Sequence, residues 1–141
     1  MTYDIDKDYD LWLQEQANLL RSHSFDQLDV NNLVEELEAL VRGEKSAVES
    51  FAYQILLHLL LVDFWQEESE RNRNHWKAEI SSFQFQLSNK ITTNFINYLH
   101  QRLPKIYARA KKTATLKTGL QQRFPENCPY TLEDILGEDE A

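Results

Sequence analysis

The sequence predicts an all-α protein: a helical bundle of four main helices, one of them long and central, followed by a short C-terminal helix. Three observations carry that prediction. Glycine and proline are scarce, three of each in 141 residues, so the punctuation an all-β fold needs is missing. Apolar residues recur every three or four positions over long stretches instead of alternating. Hydrophobic residues at 42% and charged residues at 27% describe a folded chain, not a disordered one. At this length a single domain spanning residues 1–141 is expected, with disorder at about 1–5 and 137–141.

Asp6 or Asp8 can cap a first helix running to about Ser22. Tyr9, Trp12, Leu13, Gln16, Leu19 and Leu20 give it one face with a single polar interruption. A short link follows, with Phe25 and Leu28 as plugs, and Asp29 is placed to cap the next helix. The stripe of Leu33, Val34, Leu37, Leu40 and Val41 continues through Val48, Phe51, Ala52, Ile55, Leu59 and Val62. Gly43 costs about 1 kcal/mol relative to Ala without ending a helix, so one helix is read from about Val30 to Trp65. The segment Ile55 to Val62 is apolar nearly all round and should be wrapped by other helices.

The polar run 66–74 is expected to make a turn. A third helix then carries Trp76, Ile80, Phe83 and Leu87, and Ser88 to Asn94 should break it. The fourth carries Phe95, Leu99, Leu103, Ile106, Tyr107 and Ala110, with Pro104 as a kink and Gly119 at its end. Thr131 and Asp134 have capping-box spacing, which opens the last short helix. Trp12, Leu37, Ile55 and Trp76 are expected to share one core, so that Leu37→Ala would cost about 2–5 kcal/mol.

Charge is divided along the chain. The net is −8. Residues 1–70 hold 16 acids and 4 bases, residues 71–124 hold 11 bases and only Glu79 as an acid, and residues 125–141 hold 6 acids and no base. Two readings follow: a basic face for an anionic partner, or an acidic half that folds against the basic half. The near-cancellation favours the second, in which most of Arg71, Arg73, Lys77, Lys105, Arg109 and Lys112 find a carboxylate. The acidic N-terminus excludes a signal peptide. The longest apolar run, Ile55 to Val62, is shorter than the ~20 residues of a membrane span, and a single cysteine, Cys128, allows no internal disulfide. A cytoplasmic protein with no membrane partner is the expectation.

The order of motifs resembles the domain of unknown function 29 family, found mostly in cyanobacteria. The resemblance rests on Tyr3-Asp4 and Tyr9-Asp10-Leu11-Trp12-Leu13, on the run from Leu28 to Glu38 with its Asn32-Leu33 and Glu35-Glu36-Leu37-Glu38, and on Glu44-Lys45 and His58-Leu59-Leu60. Arg73 with Trp76, and Phe124-Pro125-Glu126-Asn127-Cys128-Pro129-Tyr130, complete it. It spans about Tyr3 to Leu136. Thr92-Thr93 stand where the family often has serine-proline, Val41 where it tends to have glycine, and Gly43 where it tends to have serine. The resemblance implies a helical fold and brings no activity with it.

Each residue that could carry chemistry has a structural reading beside the functional one. Glu35, Glu36 and Glu38 diverge around one helix and cannot share a metal; Glu38 and Arg42 suit a helical ion pair. Glu44 falls inside the apolar stripe, where a charge must be paired. Its expected partners are Arg71, Arg73 or Lys77, either as a structural ion pair or as a candidate polar pocket of Glu44, Arg71 and Arg73. His58 reads as a neutral core histidine with one hydrogen-bonded nitrogen. His75 and Glu79 are too few for a metal, and Cys128 lies among acids that would raise its pKa. The basic tract from Lys105 to Arg123 offers a candidate anion-binding face of Lys105, Arg109 and Lys112, with Tyr107 nearby. No phosphate loop, serine elbow or Cys–His pattern occurs. No catalytic residue is assigned, and neither a metal nor a cofactor is expected. The leading expectation is a non-enzymatic protein-binding or assembly module acting on a protein partner or as a homo-oligomer. The alternative is a nucleic-acid-binding protein using residues 105–123, and the third reading is an enzyme with a pocket at Glu44.

Overall fold

The computed structural model describes residues 2–137. They form an all-α structure in the order α1 (Tyr9–Arg21), a single 3-10 turn (Phe25–Gln27), α2 (Val30–Phe64), α3 (Gln66–Ser88), α4 (Thr93–Thr118) and α5 (Leu132–Leu136). The helix count, the long α2 and the short last helix are as the sequence predicts. The chain gathers into two compact units, Met1–Gly43 and Glu44–Ala141. Of the expected terminal disorder, residues 1 and 138–141 lie outside the described residues. Residues 4–8 instead form a turn, with Lys7 and Asp8 N–H donating to Asp4 O at 3.2 and 2.7 Å.

The first unit is built on Trp12. Its indole is buried and its Nε1 donates to Asp29 Oδ2 at 3.0 Å. Gln16, also buried, accepts from Asp29 N at 2.9 Å, so the polar interruption in the α1 face joins α1 to the start of α2. Asn32 donates to the same Asp29 carboxylate; the bonds from Asn32 and Trp12 hold that carboxyl below its usual range. Tyr9 donates to Glu36 Oε2 at 2.5 Å. Phe25 is no plug: it is exposed, with His23 against it edge-on at 5.5 Å.

In the second unit Val48, Ala52, Ile55, Leu56, Leu60 and Leu61 of α2 are buried against Trp76, Ile80 and Leu87 of α3 and Leu99, Ile106 and Ala110 of α4. The wrapping expected around Ile55–Val62 is there. By length and composition α2 is apolar enough to cross a membrane, which the count of unbroken apolar residues missed, but 44% of its most apolar stretch is buried inside the protein, as in any core helix. The polar run 66–74 is not a turn. It forms the first turns of α3, because Gln, Glu and Arg are good helix formers and Glu67 and Glu68 sit favourably at a helix N-terminus. The chain reverses around Trp65, whose ring stacks on Trp76 at 5.7 Å. Thr92 caps α4 by accepting from Phe95 N, Pro104 lies inside α4, and Gly119 ends it at φ 72°. The Thr131–Asp134 capping box is complete.

The shared core of Trp12, Leu37, Ile55 and Trp76 is corrected. Ile55 and Trp76 pack together in the second unit, Trp12 is buried in the first, and Leu37 is 60% exposed.

Candidate functional site

Two features of the fold stand out, one in each unit. In the first, the apolar face of α2 is open. Val30, Val34, Leu37, Leu40 and Val41 are all exposed, Leu40 at 65%. Leu33, Asn32 and Glu36, around the helix from them, are partly covered. At about 100° per residue, Val30, Val34, Leu37 and Val41 fall within one narrow stripe. Glu38 and Arg42 edge it on one side, paired with each other at 3.9 Å as expected, in an exposed bridge. A shallow depression of about 310 Å³ runs over Leu37, Glu38, Val41 and Arg42.

In the second unit a cleft of about 290 Å³ lies between α2 and α4. Ser46, Glu49, Ser50 and Tyr53 are spaced three, one and three apart and form one wall on α2; Arg102, Lys105 and Arg109 form the other on α4. Each row occupies one side of its own helix. Glu49 Oε1 accepts from Arg102 Nε at 2.6 Å and from Tyr98 OH at 2.5 Å. Burial opposes ionisation of Glu49, but the bonds from Tyr98 and Arg102 and the charges of Arg102 and Arg109 outweigh it and hold the carboxyl below its usual range. The same bond to Glu49 raises Arg102 and Tyr98 above their ordinary values. Lys45 lies over the Tyr98 ring at 5.0 Å, and Arg109 over the Tyr53 ring at 5.9 Å. Tyr53 OH donates to Thr113 at 2.8 Å.

Glu44 does not meet Arg71 or Arg73. Its ion partner is Lys90 at 3.5 Å, with both side chains substantially exposed, and Arg71, Arg73 and Lys77 are exposed on α3. The stripe argument failed there because α2 leaves its Glu44 edge half-open, so solvent shares the charge with Lys90. Lys105 and Arg109 come together in the cleft; Lys112 is exposed and does not line it. The expected pairing of Arg71, Arg73, Lys77, Lys105, Arg109 and Lys112 is not found among the described residues. The bridges that do join residues 1–70 to 71–124 use other cations: Lys90–Glu44, Arg102–Glu49 and Arg123–Glu67. Local geometry chooses partners, and total charge does not.

Sequence reasoning missed Glu49 and Arg102. The signal was present: Arg102, Lys105 and Arg109 extend the basic row a turn earlier, and Ser46, Glu49, Ser50 and Tyr53 make a polar row along one side of α2. His58 is partly buried, with Nδ1 2.7 Å from Gln54 O. Burial raises the Cys128 thiol, more than the nearby Asp134 does, and its Sγ donates to Tyr130 O at 3.3 Å. Tyr130 donates to Asp63 at 2.6 Å and Tyr107 to Pro125 O at 2.5 Å, which ties the C-terminal segment to α2 and α4. Burial pushes Tyr107 up to about 12, so its phenol stays a donor at neutral pH. Among the described residues no three His, Cys, Asp or Glu side chains gather as metal ligands.

The sequence profile of a family described as Domain of unknown function DUF29 matches residues 3–140. Neither a curated protein nor a solved structure matches the chain.

Proposed function

We propose that this chain, which belongs to the DUF29 family, is a non-enzymatic assembly module that pairs with a second copy of itself through the open face of α2. One observation carries the reading: Val30, Val34, Leu37 and Val41 form a continuous apolar stripe that stands exposed among the described residues. Burying a side chain of this kind contributes about 1.5–3 kcal/mol, reduced in proportion to what is already covered, and contiguous exposed stripes mark interaction surfaces.

The stripe suits a second copy in particular. Its spacing of four, three and four reads the same in both directions, as a two-fold antiparallel pairing requires. In that register Val30 meets Val41 of the partner subunit and Val34 meets Leu37 of the partner subunit. Two such hairpins make a four-helix arrangement and supply the core that a unit of this size lacks. Against association stands the charge of residues 1–43, ten acids and three bases. Salt screens that repulsion, so pairing should tighten as salt rises.

Sedimentation velocity over a range of concentrations and salt tests this. The expected result is a monomer–dimer equilibrium that shifts to dimer at higher salt and is lost in Leu37→Ser with helicity unchanged. A chain that stays monomeric at every concentration and salt overturns it.

A second reading, nucleic-acid contact through residues 105–123, is favoured by one observation. Lys105, Arg109 and Lys112 make no ion pair among the described residues, and all three are exposed. Its signature is opposite in sign, since phosphate contacts weaken steeply with salt.

A further inference from the structure

We propose that the cleft between α2 and α4 binds a small phosphorylated polyol, a phosphate monoester that also carries free hydroxyl groups. The cleft lies wholly within the second unit, so the inference is independent of the assembly reading.

The argument begins with charge. Three cations and one carboxylate line the cleft. Glu49 and Arg102 are bonded to each other at 2.6 Å and offset one another. Lys105 and Arg109 have no carboxylate within ion-pair reach among the described residues. Two unmatched positive charges one helical turn apart suit a dianion, and a guanidinium fork beside an ammonium is the common donor pair for phosphate. Arg109 is also positioned in advance, over a Tyr53 ring that Thr113 holds in place.

The second half of the argument is Glu49. Both of its hydrogen bonds, from Tyr98 and from Arg102, end on Oε1. Oε2 has no partner among the described residues. A carboxylate oxygen in a cleft that otherwise attracts anions is an acceptor for a neutral donor, such as a hydroxyl of the same ligand. Ser46 and Ser50, on the same wall, add hydroxyls that make no hydrogen bond among the described residues. The space, about 290 Å³, has room for a ligand the size of a sugar phosphate. The ligand therefore needs a phosphate at one end for Lys105 and Arg109, and a hydroxyl for Glu49.

Calorimetric titration of the full chain at low salt, with ribose 5-phosphate, inorganic phosphate and ribose as probes, tests this. Ribose 5-phosphate should bind about tenfold more tightly than inorganic phosphate, the worth of one charge-assisted hydrogen bond, and ribose alone should not bind. The double variant Lys105→Ala/Arg109→Ala should lose both phosphate-bearing probes with its circular dichroism unchanged, since both side chains are exposed. Glu49→Gln should strengthen inorganic phosphate, by removing a like charge, and erase the preference for ribose 5-phosphate. Three results overturn the proposal: no binding of either probe at about 10 mM, far weaker than any specific site; a preference that survives Glu49→Gln; or an RNA oligonucleotide that binds with a steep salt dependence while ribose 5-phosphate does not. The double variant tests the proposal alone if Glu49→Gln fails to fold.

Discussion

The two halves of α2 have the same apolar period and meet different surroundings. From Val48 to Val62 the stripe is buried, with Ile55, Leu56 and Leu60 fully inside a core closed by α3 and α4. From Val30 to Val41 the equivalent positions stand in solvent, and among the described residues of the first unit only Trp12 and Gln16 are buried. The pattern that writes an amphipathic helix records that a face will be covered. It does not record whether the cover comes from the same chain. Where the stripe is broad and nearly all round, as in Ile55–Val62, one facing helix cannot cover it, and α3 and α4 of the same chain close over it. Where the stripe is narrow, one facing helix suffices, and a second copy can supply it.

Substitutions at matched positions in the two halves separate these cases, and the largest effect belongs to the buried half. Leu60→Ala removes a fully buried side chain and should cost about 2–5 kcal/mol by urea denaturation. A loss below about 1 kcal/mol would mean that the second unit is not packed as described. Gly43 stands where the halves join. A Cβ there would meet nothing within 4 Å, and the residue is helical, so Gly43→Ala should stabilise the chain by about 1 kcal/mol. A destabilisation would show that α2 needs to bend there.

Much of the fold could be read directly from periodicity and caps. The start of α2 at Val30 and its passage through Gly43, the left-handed Gly119 and the Thr131–Asp134 box were visible, because each depends on residues within one turn of one another. The start of α3 was not: Gln66 to Asn74 has no apolar mark, and polar residues that form a solvated helix face look like residues that form a turn. The cleft was legible in part. Lys105 and Arg109 stood out as a basic row, but Glu49 reads as one more acid on α2, and its role depends on which helix packs against it. That is tertiary information. Leu37 was misread for the same reason, since its own helix gives it a core address and only the neighbours decide.

The smallest expected effect is the most informative. Leu37→Ala was expected from the sequence to cost as much as Leu60→Ala. In the structure Leu37 is 60% exposed, so truncating it leaves no cavity, and alanine is the better helix former by a small margin. Unfolding followed by a sensitive probe at high dilution, where the chain is monomeric, should therefore change by less than about 0.5 kcal/mol, as for an ordinary surface substitution. Pairing couples stability to concentration, because a partner that binds only the folded state stabilises it by mass action. If α2 faces α2 of a second copy, the cost of Leu37→Ala should grow as concentration rises, while that of Leu60→Ala stays constant. A small cost at every concentration would leave the stripe without a second copy. A cost of 2 kcal/mol or more already present at high dilution, the range typical of core truncation, would put Leu37 in an intramolecular core and remove the contrast between the two halves.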